Sequence, residues 1–412
     1  MLHLAPLNKT IVLLLCGLPI VHASELSEKV PLELTQPAYA SPWKRYDKWK
    51  QTDWKQYSNL AHQVASPISP PQKLKTPIQG DPKHGRQLVI NRKQGGGCVA
   101  CHILPEASLP GNVGPDLSMI GIWGRSDEAL FNRIDDPRRF NPVTVMPPWG
   151  AHDIFTAEDI KDIVAYLKTL KTPVEFNAVQ DNPAKRQVPA QNRDNLDPLE
   201  NPALFLLETG KTLWAQQGPL EQACHSCHQQ DLKERFTTWA VTMPKFEPRL
   251  DKMIGIEEFI TRHARATTGA EYLLQSDENL ALAIFLRYLA NGQAIAVEHS
   301  DAKTQAAFER GEALVKRKIG QLNMSCMDCH GISANKWLRG QYLTSFLGMY
   351  DHFPTYRTSR GEVWDIRKRF QWCGVAIRAN ELPPDAAEYG DLELYLAVLN
   401  KGRKLNVPGI RH

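Results

Sequence analysis

Apolar residues recur at helical spacing in three stretches of the chain, EDIKDIVAYLKTL (158–170), ENLALAIFLRYLANG (278–292) and DLELYLAVLNKG (391–402). Each i, i+3, i+4 pattern predicts an amphipathic helix with one buried stripe. A shorter amphipathic stretch lies well upstream of each: GRQLV from Gly85, GKTLW from Gly210 and GEALV from Gly311. Tyr166, Tyr288 and Tyr395 hold similar places in the three downstream patterns. The pairing predicts a first helix packed on a terminal helix, three times over. Residues 173–199 are polar, Pro-containing and aperiodic, as in an interdomain linker. Residues 24–80 carry Trp43, Trp49 and Trp54 and then the Pro-rich run SPISPPQKLKTP. They are expected to wrap another surface, or to form a short helix and a linker. The apolar run Ile11–Val21 is 11 residues long, too short to span a bilayer. With Lys9 before it and Val21-His22-Ala23 at its end, the run predicts a signal peptide over 1–23.

Composition sharpens this picture only in places. The 412 residues suffice for two to four domains of roughly 100–200 residues each. With 42% hydrophobic and 23% charged residues, the chain is neither disordered as a whole nor a multi-span membrane protein. A net charge of +4 gives no argument for nucleic acid, and no Gly-rich phosphate loop stands out. The eight cysteines change the picture most, because six fall in one short pattern used three times: Cys98-Val-Ala-Cys101-His102, Cys224-His-Ser-Cys227-His228 and Cys326-Met-Asp-Cys329-His330.

Each is C-x-x-C-H, the attachment signature of c-type haem. Two thiols three residues apart on one helical turn can both add to porphyrin vinyl groups, and the next His can then bind the iron. One copy leaves a zinc site or a redox dithiol open, but three copies on an exported chain point to haem. Three covalently bound haem c groups are therefore expected, with His102, His228 and His330 as proximal ligands. Gly85, Gly210 and Gly311 lie 13, 14 and 15 residues before the first Cys of each motif, and the three tyrosines 68, 64 and 69 residues after it. Helix, haem motif, ligand loop and terminal helix resemble the class I cytochrome c fold, so the expected fold class is all-α, with three such domains in one chain.

Cys16 leaves with the signal peptide, the haems use six thiols, and Cys373 remains without a disulfide partner. It could be a buried small hydrophobe. Around it, residues 331–380 hold eight basic side chains against three acidic ones. Such a window favours a thiolate and suits an anionic substrate, or it is a solvated basic surface.

The stretches GQLNMSCMDCHGISANKWLRGQYLTS and FPTYRTSRGEVWDIRKRFQWCGVAIRAN, within 298–412, resemble the catalytic region of SoxA, the thiosulfate-oxidising cytochrome. Residues 200–297, opening ENPALFLLETGKTLW, resemble the first half of two-haem SoxA. Residues 81–172, with GDPKHGRQLV, GGGCVACH, GNVGPDL and VMPPWG, resemble its small partner SoxX. The chain thus resembles a SoxXA-type cytochrome in which both partners are fused. The resemblance implies oxidative conjugation of thiosulfate to the cysteine of a SoxYZ-type carrier protein, in the periplasm, with electrons passed to a soluble cytochrome c.

The resemblance also implies site residues. Met146 in VMPPWG is the expected second ligand of the first haem, with Met119 as its competitor. Where the family often has a Cys in a stretch like INRCR, this chain reads FITRHARATTG, so His263 is expected opposite His228. Cys373 is expected opposite His330, with His352 and Met349 as alternatives, and Arg369 is expected to face the substrate. A thiolate ligand should lower that haem's potential relative to His/Met, sending electrons towards the Met146 haem. The rival functions are a plain triheme electron carrier, a thiosulfate dehydrogenase forming tetrathionate and, more distantly, a haem peroxidase.

Overall fold

The computed structural model describes residues 30–40, 54–75, 77–91, 97–105, 107–189, 197–229 and 232–412. The expected signal peptide, Cys16, Trp43 and Trp49 lie outside the described residues. The first part of the chain contributes α1 (Pro82–Ile90), α2 (Asp127–Asp135) and α3 (Ala157–Thr169). The rest contributes α4 (Leu204–Ala215), α5 (Cys224–Cys227), α6 (Leu232–Val241), α7 (Ile256–Thr268), α8 (Asp277–Tyr288), α9 (Ala302–Lys316), α10 (Ile366–Ala376) and α11 (Ala387–Leu399). Side-chain caps start many of them. Asp81 accepts from Lys83 N, Thr156 and Asp159 form a reciprocal capping box, and Ser276, Asp301 and Asp365 cap α8, α9 and α10.

The chain is mostly helical but not purely so, which corrects the all-α expectation. Two antiparallel hairpins, β1 (Lys245–Glu247) with β2 (Lys252–Ile254) and β3 (Trp337–Leu338) with β4 (Gln341–Tyr342), lie outside the helices. A three-stranded sheet joins β5 (Thr355–Arg357) to β6 (Glu362–Trp364) antiparallel and to β7 (Gly409–Arg411) parallel. Segments this short alternate too few residues to show a period of two in the sequence.

Helix α1 packs on α3, α4 on α8 and α9 on α11, and these are the most extensive helix pairings among the described residues. One device serves all three. A Cβ on Gly85 would lie 1.9 Å from the Asp162 carbonyl oxygen, one on Gly210 2.2 Å from that of Ala281, and one on Gly311 2.4 Å from that of Asp391. Only glycine lets the two backbones approach this closely. Phe285 and Tyr395 each stand four residues beyond the facing carbonyl, and their Cβ atoms would lie 2.9 Å from a Cβ added to the glycine. Tyr166 holds the same offset from Asp162. In the middle pair the matching aromatic is therefore Phe285, not Tyr288. The third terminal helix begins four residues before the predicted stretch, because Gly390 can sit against the Met253 backbone, where a Cβ would come within 2.3 Å of the carbonyl.

The apolar side chains form two cores. One gathers Leu88, Phe131, Ile160 and Val164 around α1–α3; the other runs from Leu60 and Leu204 through Ile284 to Leu396 and Val407. Residues 200–297 and 298–412 thus share one core. The amides of Ser69, Gln72, Leu74 and Ile78 donate to Asp136, Asn132, Glu128 and Asp127, in and just after α2, at 2.7–3.1 Å. Among the described residues no helix is long and apolar enough to cross a membrane.

Gly311→Ala must separate α9 from α11. Overpacking of this kind should lower unfolding stability by about 1–3 kcal/mol, read from urea melts of the holoprotein by circular dichroism.

Candidate functional site

The first C-x-x-C-H motif begins in a 3₁₀ turn, Cys98–Ala100, entered through Gly97 at φ 54°. His102 Nδ1 lies 2.8 Å from the Pro115 carbonyl oxygen. A carbonyl only accepts, so Nδ1 carries the proton and Nε2 keeps the lone pair a metal needs. Gly114 makes room for this ring: a Cβ there would sit 2.3 Å from His102 Cε1. Met146 is half-buried and packs on the α1–α3 core, whereas Met119 caps the 3₁₀ turn Ile120–Ile122.

The second motif forms the short helix α5, and the ring of His228, just beyond it, lies 6.1 Å from the His263 ring, centre to centre. With metal–imidazole bonds of about 2 Å, two rings on opposite sides of one metal have centres about 6 Å apart. The sequence assignment of His263 and the geometry therefore bring together the same two imidazoles. His263 is the eighth residue of α7, stacked on Phe259 at 5.2 Å, and burial lowers the pKa of both histidines.

The third motif runs into a π-helical turn, Asp328–Ile332, and His330 Nδ1 lies 2.8 Å from the Thr344 carbonyl oxygen. Burial pulls His330 down to about 4, which keeps it neutral and able to ligate. Burial pushes Cys326 and Cys329 up to about 12, the charge of a Cys373 thiolate adding to it. Cys373 thus lies within electrostatic reach of both thiols that would anchor the haem. It is half-buried, on the eighth residue of α10. Of the alternatives, His352 pairs through Nδ1 with Asp351 at 3.1 Å and stacks on Phe353 at 4.7 Å.

A second repeat inside the C-terminal half went unnoticed in the sequence. β1, β2, α7 and α8 recur as β5, β6, α10 and α11 at a constant shift of 110 residues: Lys245/Thr355, Lys252/Glu362, Ile256/Ile366 and Asp277/Ala387 open the paired elements. The same shift carries His263 onto Cys373, so the two expected distal ligands are equivalent places on one scaffold. It also carries Phe259 onto Arg369 and Glu247 onto Arg357. In the first copy this set is Phe259 stacked on His263 and Glu247 paired to Arg249 at 2.7 Å. Around Cys373 it is cationic.

The basic window nevertheless does not act as one body. Arg367 is buried among carboxylates, bonding Glu258 at 2.9 Å and Glu393 at 3.0 Å. Lys368 meets Glu362 at 3.1 Å, and Arg378 holds Gln321. Arg357 and Arg369 remain near Cys373, with Arg360 over the Trp372 ring at 4.1 Å. Burial, then the like charges of Arg369, Arg411 and Arg360, pull Arg357 down to about 9, against the opposing pull of Cys373. Arg357 Nε is buried with no hydrogen-bond partner among the described residues. Crowded guanidiniums with an unmet N–H are relieved by an anion. Sequence reading named Arg369 but not Arg357, whose place depends on the hairpin.

The first and third motifs meet at a seam. Asn112 N donates to Trp337 O at 3.0 Å, Trp337 N to Asn112 Oδ1 at 2.8 Å, and Arg339 N to Ala100 O at 2.9 Å. Cys101 and Cys329 are close enough to feel each other's charge. All six motif thiols are free, as covalent haem attachment requires, and no cluster of three or more ligand side chains suits a bare metal ion among the described residues. The residues fit haem.

The family model for "SoxA/TsdA, cytochrome c domain" matches residues 209–295, and that for "Cytochrome C oxidase, cbb3-type, subunit III" matches 81–167. The L-cysteine S-thiosulfotransferase subunit SoxA of Pseudaminobacter salicylatoxidans is 28% identical over 217 residues, 52% of this chain and 75% of that protein. That of Allochromatium vinosum is 34% identical over 132 residues, 32% of this chain and 47% of that protein. The crystal structure of SoxXA from P. pantotrophus matches at 25% identity and a TM-score of 0.49, covering 52% of this chain and 81% of that one. The chain is thus similar to SoxA over its C-terminal half, and two stretches of it match cytochrome c domains.

Proposed function

We propose that the chain is an L-cysteine S-thiosulfotransferase that joins thiosulfate oxidatively to the cysteine of a SoxYZ-type carrier protein in the periplasm. Haem c would be held at the three motifs by His102 with Met146, His228 with His263, and His330 with Cys373. The observation that carries this reading is Cys373, equivalent in the repeat to His263 and close to Arg357 and Arg369. A plain electron carrier has no use for that exchange of an aromatic ring and a paired carboxylate for two guanidiniums.

The haems supply one-electron acceptors, which thiol chemistry alone lacks. The protein's part is to bring two anionic sulfurs together. Thiosulfate is a dianion, and each unit-charge pair at 4 Å repels by about 4 kcal/mol at an effective dielectric of ~20. Arg369 and Arg357 offset terms of that size, and their planar forks hydrogen-bond sulfonate oxygens. A sulfur–sulfur bond forms between the terminal sulfur of thiosulfate and Cys373 Sγ, and two electrons leave for the acceptors. The carrier thiolate then attacks the sulfane sulfur, takes the –S–SO₃⁻ group, and releases Cys373 as thiolate. The seam holds the first and third motifs side by side, so groups bound at the two would be neighbours, with a soluble cytochrome c as the outside acceptor.

Cys373→Ser should retain three haems by pyridine haemochrome assay yet lose carrier conjugation, together with the low-spin thiolate signal in electron paramagnetic resonance. Unchanged conjugation would remove Cys373 from the chemistry. Free tetrathionate made equally well without carrier would favour thiosulfate dehydrogenase instead.

Arg369→Ala and Arg357→Met should each lower kcat/KM for thiosulfate about 10- to 100-fold, matching a charge-assisted hydrogen bond of about 1.5–3 kcal/mol. Haem content should stay constant, and steady-state kinetics at fixed carrier concentration reads the effect.

A further inference from the structure

Residues 30–40 lie far from the second haem motif in sequence, yet they run along α7 and the loop after it. Ala40 N donates to Leu274 O at 2.8 Å, Leu274 N to Ala38 O at 3.0 Å, and Glu33 N to Arg262 O at 3.1 Å. The buried Arg262 returns two bonds from Nη1, to Glu33 O at 2.9 Å and Thr35 O at 2.7 Å. On the other side, Arg249 Nη1 holds Val30 O at 2.7 Å. Between these anchors the Pro31 carbonyl oxygen lies 2.8 Å from His263 Nδ1.

We propose that segment 30–40 is a strap that positions the distal ligand of the second haem, the Pro31 carbonyl fixing His263 with its proton on Nδ1 and Nε2 left for iron. The inference rests on the reading of His228 and His263 as an axial pair. The other two sites hold their proximal rings from nearby loops, through Pro115 at His102 and Thr344 at His330. At the second site the proximal His228 Nδ1 is buried with no hydrogen-bond partner among the described residues. Control of imidazole orientation and donor strength therefore falls on His263, and its acceptor arrives from 232 residues away. An N–H bonded to a carbonyl makes the ring a stronger donor and favours the oxidised metal.

The full-length holoprotein is compared with one lacking residues 24–36, both counted for haem. The strap predicts that deletion leaves three haems attached. It also predicts a changed bis-imidazole resonance signal, a higher second-haem potential in spectroscopic titration, and a carbon monoxide adduct on reduction that the intact protein lacks. Pro31→Ala keeps the carbonyl and should behave as the intact protein. If deletion lowers the haem count, a glycine inserted between Leu32 and Glu33 decides, since it displaces Pro31 while leaving the anchors at Glu33, Thr35 and Ala38. An unchanged signal and potential in the informative variant overturn the strap. His263→Met separates the two ideas: no spectral change there overturns the axial-pair reading itself.

Discussion

Arg367 is buried on α10 and reaches two carboxylates on different helices, Glu258 of α7 and Glu393 of α11. Glu258 also meets Lys252 at 2.8 Å and Arg262 at 2.9 Å. Burial raises its pKa, but Arg367, Lys252 and Arg262 outweigh that and hold it below the usual carboxylate range. Glu393 has fewer cations around it, and burial wins there, pushing it upward. Such clusters are poor sources of net stability, because desolvation consumes most of the attraction. Their use here is positional. Removing one member would strand a buried charge at a cost of about 3–5 kcal/mol, so the helices bearing His263 and Cys373 are kept in one fixed relation. Both expected distal ligands inherit their places from that lock.

One scaffold used twice with different contents explains how neighbouring sites diverge. The hairpin and following helix put the same backbone positions around each ligand. Exchanging Phe259 for Arg369 and Glu247 for Arg357 replaces an aromatic ring and a paired carboxylate by two guanidiniums, which attract anions. Nothing in the main-chain path needs to change.

What could be read from the sequence was local. The C-x-x-C-H motifs, the glycines of the first helices and the periodic terminal helices are dictated by spacing within one element, and they stand where spacing puts them. Tyr288 misled because a sequence offset cannot show which helix face meets the glycine; the backbone places Phe285 there. The 110-residue repeat was hidden because KFEPRLDKMI and TYRTSRGEVW share almost no side chains while making the same hairpin. Arg367 read as part of a basic surface because its carboxylate partners lie on other helices. Pro31 carried no signal at all, since a backbone carbonyl has no letter of its own. The shared core of residues 200–412 was equally invisible, for an apolar stripe does not name its neighbour.

The seam between the first and third motifs carries one more consequence. Arg186, from the segment joining the two parts of the chain, reaches both the Arg339 and Pro110 carbonyl oxygens and lies over the Trp337 ring at 4.6 Å. Tethered halves meet at an effective concentration set by their linker rather than by how much protein is present. The junction between these two motifs is therefore indifferent to dilution, and it holds equally well in a sparse compartment and in a crowded one.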